Sequence, residues 1–232
     1  MRVVSEATDP EFREIIARNV AKVQSQLPDS VRLIAVTKKH TIAETQAVVD
    51  AGVMDLGENH VQDLIKKKLE IKGDIHWHFI GHLQTNKVKY LIGEVAMIHS
   101  VSSLKLLKKI EQESAKKNLV TNILLQFNLA EEATKSGFSA NELTKATEEV
   151  ARLSHINLRG LMCMGPMTEN SNEIHKIFGQ LKEMYDKIKI IYQNGENQID
   201  CLSMGMTNDY PIAIAEGATC VRVGRKIFQC EE

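Results

Sequence analysis

Residues 31–58, VRLIAVTKKHTIAETQAVVDAGVMDLGE, contain one full period of the pattern that organises the whole chain. Residues 31–37 are short, apolar and rich in β-branched side chains, as expected of a strand buried on both faces. Residues 42–51 place apolar side chains at helical spacing, and Gly52 stands where a helix C-cap belongs. Residues 53–56 then form a second strand-like run. Strand, helix and strand in so short a span describe a βαβ unit, whose two strands lie parallel.

The same alternation continues to the end of the chain. Further strands are predicted at 75–80, 96–99, 121–128, 157–162, 199–203 and 219–223. Helical patterns fill 60–71, 86–92, 102–117, 139–153, 173–190 and 210–216, and Gly217 caps the last. A leading helix covers about 9–27. Short apolar strands separated by helices call for a parallel sheet covered on both faces. An open doubly wound sheet competes with a closed barrel. Eight β units without a long insertion favour closure. The predicted fold is α/β, a single-domain (β/α)8 TIM barrel over residues 1–232 with the barrel at about 31–228. No composition break marks a second domain, and the polar stretch 193–197 reads as a turn.

Composition narrows the function by exclusion. A formal net charge of −1 over 232 residues gives no global attraction to nucleic acid or to a membrane surface. The basic clusters Ile65-Lys66-Lys67-Lys68 and Lys105 to Lys109 are interrupted by apolar residues and read as solvated helix faces. No apolar run is long enough to span a bilayer, and Met1-Arg2-Val3-Val4-Ser5-Glu6 offers no signal-peptide core. The four cysteines, Cys163, Cys201, Cys220 and Cys230, show no CxxC spacing, and the first three sit in strand-like runs. The expectation is a cytoplasmic protein with free thiols, without a disulfide framework and without a metal site.

Functional groups of a parallel barrel gather at the C-terminal ends of its strands. Those ends carry Lys38-Lys39, Glu58-Asn59, Ser203-Met204-Gly205-Met206-Thr207 and Arg222-Val223-Gly224-Arg225. Backbone N–H groups and hydroxyls of the 203–207 turn could converge on one anion, and Gly224 lets the backbone approach closely. Adjacent turns after strands seven and eight are the usual phosphate site of such barrels. A lysine ending an apolar strand is costly to desolvate unless it is used, and desolvation frees an amine to condense with an aldehyde. Successive strand residues face opposite ways, so one of Lys38 and Lys39 enters the mouth, and periodicity does not choose between them. His76 and His78 share a strand face, but no acidic or thiol partner has zinc-site spacing. Glu58 reads as part of a helix N-terminus, and the methionines at 162, 164, 204 and 206 read as packing.

Seven ordered motifs resemble the pyridoxal phosphate homeostasis protein family, an alanine racemase-like group. They are Ala35-Val36-Thr37-Lys38, Gly57-Glu58-Asn59-His60-Val61-Gln62, the run from Trp77 to Lys87, Lys135-Ser136-Gly137, Arg159-Gly160-Leu161-Met162, Ser203 to Asp209, and Val221 to Phe228. The resemblance implies an alanine racemase N-terminal domain-like barrel with pyridoxal 5′-phosphate as an internal aldimine on Lys38 rather than Lys39. It implies phosphate contacts from Ser203, Met206, Thr207 and the Gly224-Arg225 backbone. Arg222 would face the pyridine nitrogen, and Asn59 and His78 would line the ring side. Thr207 stands where the family usually has Ser, His40-Thr41 where Pro is common, and Gln229 where Gly is common.

The resemblance also implies a carrier rather than an enzyme. Related racemases use a second base from another domain, which is not expected in this chain, and an arginine facing the pyridine nitrogen weakens the electron sink. The expected role is non-catalytic storage and delivery of pyridoxal phosphate to apo-enzymes by a monomer, with indirect effects on amino-acid and keto-acid balance. The alternatives are a pyridoxal phosphate-dependent enzyme such as a weak amino-acid racemase, and a phosphate-binding barrel acting on sugar phosphates without pyridoxal.

Overall fold

The computed structural model describes residues 10–130, 132, 136–192 and 198–229. Eight strands run in sequence order round a closed parallel barrel: β1 (Arg32–Val36), β2 (Asp55–Glu58), β3 (His76–Phe79), β4 (Met97–Val101), β5 (Thr121–Phe127), β6 (Ile156–Cys163), β7 (Cys201–Ser203) and β8 (Cys220–Val223). The first and last strands close the ring, paired from Arg32 with Cys220 to Ala35 with Val223. Closure rules out the open sheet.

Alternation along each strand sorts the core into two layers. In β1, Leu33 and Ala35 join the large cluster between strands and helices. Ile34 points the other way, into the lumen, with Met97, Leu124, Met162, Cys201 and Cys220. The helices outside are α1 (Pro10–Gln24), α2 (Ile42–Asp50), α3 (Val61–Glu70), α4 (Leu104–Lys117), α5 (Leu143–Val150), α6 (Ser171–Ile191), α7 (Tyr210–Ala215) and α8 (Arg225–Phe228). α1 buries Phe12, Ile16, Val20 and Val23, and its Asn19 amide donates to the carbonyls of Ile227 and Gln229 at 3.1 and 2.8 Å. The first helix is thus tied to the last.

Three helices depart from the sequence pattern. α1 stops at Gln24 rather than 27, because the amides of Gln26 and Leu27 tighten onto the carbonyls three residues back, Val23 and Gln24. The segment expected at 86–92 is a 3-10 turn, Thr85–Tyr90, which buries Val88 and hands over to the buried Leu91 and Ile92. The segment expected from 139 begins as a 3-10 turn, Ala140–Glu142, under a Ser139–Glu142 capping box. The short α8 was not visible in the pattern at all.

The basic cluster of α3 is a solvated face at Lys66 and partly at Lys68, but not at Lys67. Lys67 is buried, and its Nζ donates to Glu58 Oε1 at 2.5 Å and to the Thr37 carbonyl at 2.7 Å. Glu58 is correspondingly a fully buried strand residue, not part of a helix N-terminus. On α4, Lys108 and Lys109 do lie toward solvent, paired with Glu149 and Glu113. Among the described residues no helix is long and apolar enough to cross a membrane. Cys163, Cys201 and Cys220 are buried, and none of the three is in a disulfide. Residues 1–6, Lys135, the 193–197 turn and Cys230 lie outside the described residues.

Candidate functional site

The C-terminal ends of β1, β2, β3, β6, β7 and β8 enclose a cavity of about 980 Å³. Lys38 lines it and Lys39 does not. The backbone explains the choice. Thr37 is pinned by its amide on the Gly57 carbonyl at 3.0 Å, by its hydroxyl on Glu58 Oε1 at 2.8 Å, and by Lys67 on its carbonyl. Lys39 then takes a left-handed φ of 67°, which breaks strand alternation. The following turn is held by the Thr41–Glu44 capping box of α2 and by His40, whose ring stacks on Phe228 with centroids 3.5 Å apart. Lys38 is exposed at the rim rather than desolvated, contrary to the expectation from its apolar strand.

Beside Lys38, after the two strands that precede β1 round the closed ring, lie two turns that together make an anion cradle. Met206, Thr207 and Asn208 come from the turn after β7, and Gly224 and Arg225 from the turn after β8. Among the described residues no backbone carbonyl takes the amides of Thr207, Asn208, Gly224 or Arg225. The Met206 amide is different: it donates to Asp209 Oδ1 at 2.5 Å. Arg225 Nη2 donates to Asn208 Oδ1 at 3.0 Å, stitching the two turns together. Asn208 and Asp209 were quoted in a motif but not expected as site residues. The turn depends on Gly205, whose φ is +90° and whose hydrogen stands where a Cβ would meet the Ala213 Cβ at 2.6 Å.

Arg222 forms the floor. It is 4% exposed yet lines the cavity, with Nη1 donating to Ser203 Oγ at 2.5 Å and Nη2 to the Cys163 carbonyl at 2.9 Å. Two residues expected as ring or phosphate contacts lie deeper than the cavity lining. Ser203 is fully buried beneath the floor, occupied by Arg222 and by His99 Nδ1 at 3.1 Å, and does not line the cavity. His78 is likewise inside the lumen, with Nδ1 2.9 Å from His99 Nε2 and Nε2 2.9 Å from Asp55 Oδ1. Burial, the His78 charge and the Arg222 charge hold His99 well below the usual imidazole range. Burial also lowers His78, although Asp55 pulls it upward. Burial raises Asp55, but its hydrogen bond and charge contact with His78, helped by Arg32 and His76, outweigh that and leave it lowered.

Asn59 does reach the cavity wall, and its Oδ1 is buried without a hydrogen-bond partner among the described residues. The outer lip, Met164 to Glu169, comes from the β6–α6 connection; Met164 read as packing in the sequence, and the residues after Gly165 carry only the signal of a loop. Gly165 within it admits Asp209, since a Cβ there would lie 2.3 Å from Asp209 Oδ2.

Residues 13–231 match the family model described as the alanine racemase N-terminal domain. The chain is 39% identical over 180 residues to the pyridoxal phosphate homeostasis protein of Aquifex aeolicus, covering 77% of this chain and 78% of that one. It is 36% identical over 210 residues to the protein of the same name from Synechocystis, covering 90% and 95%. Among solved structures it resembles PipY of Synechococcus elongatus with pyridoxal phosphate bound, with a TM-score of 0.85, 33% identity, and coverage of 92% and 100%. The alanine racemase of Clostridium difficile shares the fold at 14% identity and a TM-score of 0.76, with 96% of this chain spanning 57% of that one.

Proposed function

The chain belongs to the pyridoxal phosphate homeostasis protein family, and from that premise we propose that it holds pyridoxal 5′-phosphate on Lys38 and releases it to apo-enzymes without catalysis of its own. The observation that carries the reading is the convergence, in one cavity, of a lysine, a two-turn anion cradle and an arginine floor. These residues fit the cofactor. Thr207 and the Asn208, Gly224 and Arg225 amides suit its phosphate, and Arg222 offers a donor to the pyridine nitrogen. The orphaned Asn59 Oδ1 asks for a donor, which a ring hydroxyl supplies. When bound, the cofactor supplies an aldehyde that condenses reversibly with the Lys38 amine, releasing water.

Two features favour a carrier over a racemase. Among the described lining residues there is no tyrosine, histidine or cysteine, so Glu169 and Asp209 are the acid–base candidates beside Lys38. Asp209 is engaged by the Met206 amide, and Glu169 lies exposed on the lip. An arginine floor, in turn, does not protonate a pyridine nitrogen. The exposed position of Lys38 suits exchange of cargo with a partner. The setting proposed is a cytoplasmic monomer.

Borohydride treatment of the loaded protein should fix the cofactor's mass on the Lys38 peptide. Lys38→Ala should abolish the corresponding absorption band, and its full retention would sink the assignment. Exchange at the α-carbon of added amino acids in deuterated water, faster than with free cofactor, would overturn the non-catalytic reading.

A further inference from the structure

The lumen of this barrel holds a continuous polar file where apolar packing would be expected. It runs from Arg222 to Ser203 at 2.5 Å, on to His99 at 3.1 Å, to His78 at 2.9 Å, and to Asp55 at 2.9 Å. Asp55 opens β2, at the end of the barrel opposite the cavity. The file thus joins the two ends of the barrel through its centre. Ile34, Met97, Leu124, Met162, Cys201 and Cys220 surround it.

The chemistry of the two ends fixes the direction of every bond between them. A guanidinium only donates and a carboxylate only accepts. Arg222 must therefore donate to Ser203, and Asp55 must receive the His78 Nε2 proton. One assignment then leaves both imidazoles neutral: Ser203 O–H to His99 Nδ1, His99 Nε2–H to His78 Nδ1, and His78 Nε2–H to Asp55. Reversing the Ser203–His99 bond forces one of the two imidazoles to carry both protons. At 2% exposure or less that charge is poorly solvated. Like-directed hydrogen bonds polarise one another, so the file acts as a unit.

We infer that Asp55, His78, His99 and Ser203 are positioning residues for Arg222, a one-way hydrogen-bond file that holds its guanidinium flat in the cavity floor as a donor to the ligand. The Ser203 proton is committed toward His99, which turns the hydroxyl's lone pairs to Arg222 Nη1. The Cys163 carbonyl holds Nη2. Both terminal nitrogens of the guanidinium are thus tied, and Arg222 lines the cavity. This inference deepens the proposed function: it assigns the orientation of the ring-nitrogen contact to Asp55, a carboxylate that does not line the cavity.

The first test needs no ligand. In the full-length protein labelled with 15N-histidine, at neutral pH, His78 and His99 should both show the neutral Nε2–H tautomer, with those protons protected from exchange. A doubly protonated or Nδ1–H form at either position overturns the file. The second test adds pyridoxal phosphate to Asp55→Asn and to Ser203→Ala. Each should weaken binding by about two- to tenfold, the size of one hydrogen bond, and each should shift the absorption maximum of the bound cofactor. If Asp55→Asn fails to fold, as judged by circular dichroism, Ser203→Ala carries the test. Unchanged affinity and spectrum in a folded variant refute the positioning role. If the unaltered protein binds no pyridoxal phosphate, the functional reading fails, while the tautomers still decide the file.

Discussion

At Lys38 and Lys39 the sequence presents two equivalent amines, and one backbone angle separates them. Strand alternation says that one faces the mouth, but the positive φ of Lys39 ends the strand geometry there, so alternation does not decide which. Ser203 shows the same limit in depth. It pairs in register with Cys220, two residues below Arg222, and so lies one inward step beneath the floor. Nothing local to Ser203-Met204-Gly205 encodes that level, because it is set by the stagger between strands. Gly205, by contrast, is legible: a glycine after a strand and before a helix signals a turn closed to side chains. Gly205→Ala should lower unfolding stability by about 1–3 kcal/mol through left-handed strain and the clash with Ala213. Urea titration measures this, and an unchanged midpoint would contradict it.

Among the elements, α3 departs furthest from its sequence pattern. Three consecutive lysines on an amphipathic helix read as solvent-facing, and for Lys66 and Lys68 that is broadly how they lie. Lys67 faces inward because Glu58, nine residues earlier and fully buried on β2, needs a partner. Neither residue alone announces the pair, since the register between a strand and its following helix is a packing outcome. The pair clamps Thr37, and Thr37 aims Lys38. Lys67→Met should destabilise the fold by about 3–5 kcal/mol, the usual cost of leaving one buried charge without its partner. The double variant with Glu58→Gln should recover part of that loss. Thermal unfolding of the single and double variants tests the coupling, and strictly additive losses would refute it.

For the whole molecule, two buried neutral histidines make stability depend on pH. Both His78 and His99 are depressed, so each binds a proton in the unfolded chain before it does in the folded one. The stability they contribute is present above about pH 6.5 and is lost as pH falls, at up to about 1.4 kcal/mol per pH unit for each. Asp55, Arg32 and His76 face His78, and Arg222 faces His99, so the file loses its direction as either imidazole charges. Unfolding free energies at pH 7 and pH 5 should show this decline, shallower by about one proton's slope in His99→Gln. Equal slopes would rule it out. By itself the sequence determined the order and type of the strands, the parallel α/β class, the barrel over the open sheet, and the lysine, anion turns and arginine gathered at one end. These follow from periodicity, which is local, and from topology, which places C-terminal strand ends together. The resemblance of motifs singled out Lys38, but only the tertiary structure gave the physical reason for it, and it alone decided that Ser203 and His78 lie below the mouth, that Lys67 is buried, and that Asp55 is wired to Arg222. Each of those depends on stagger and register between strands far apart in sequence, and contact across a closed barrel has no signature along the chain.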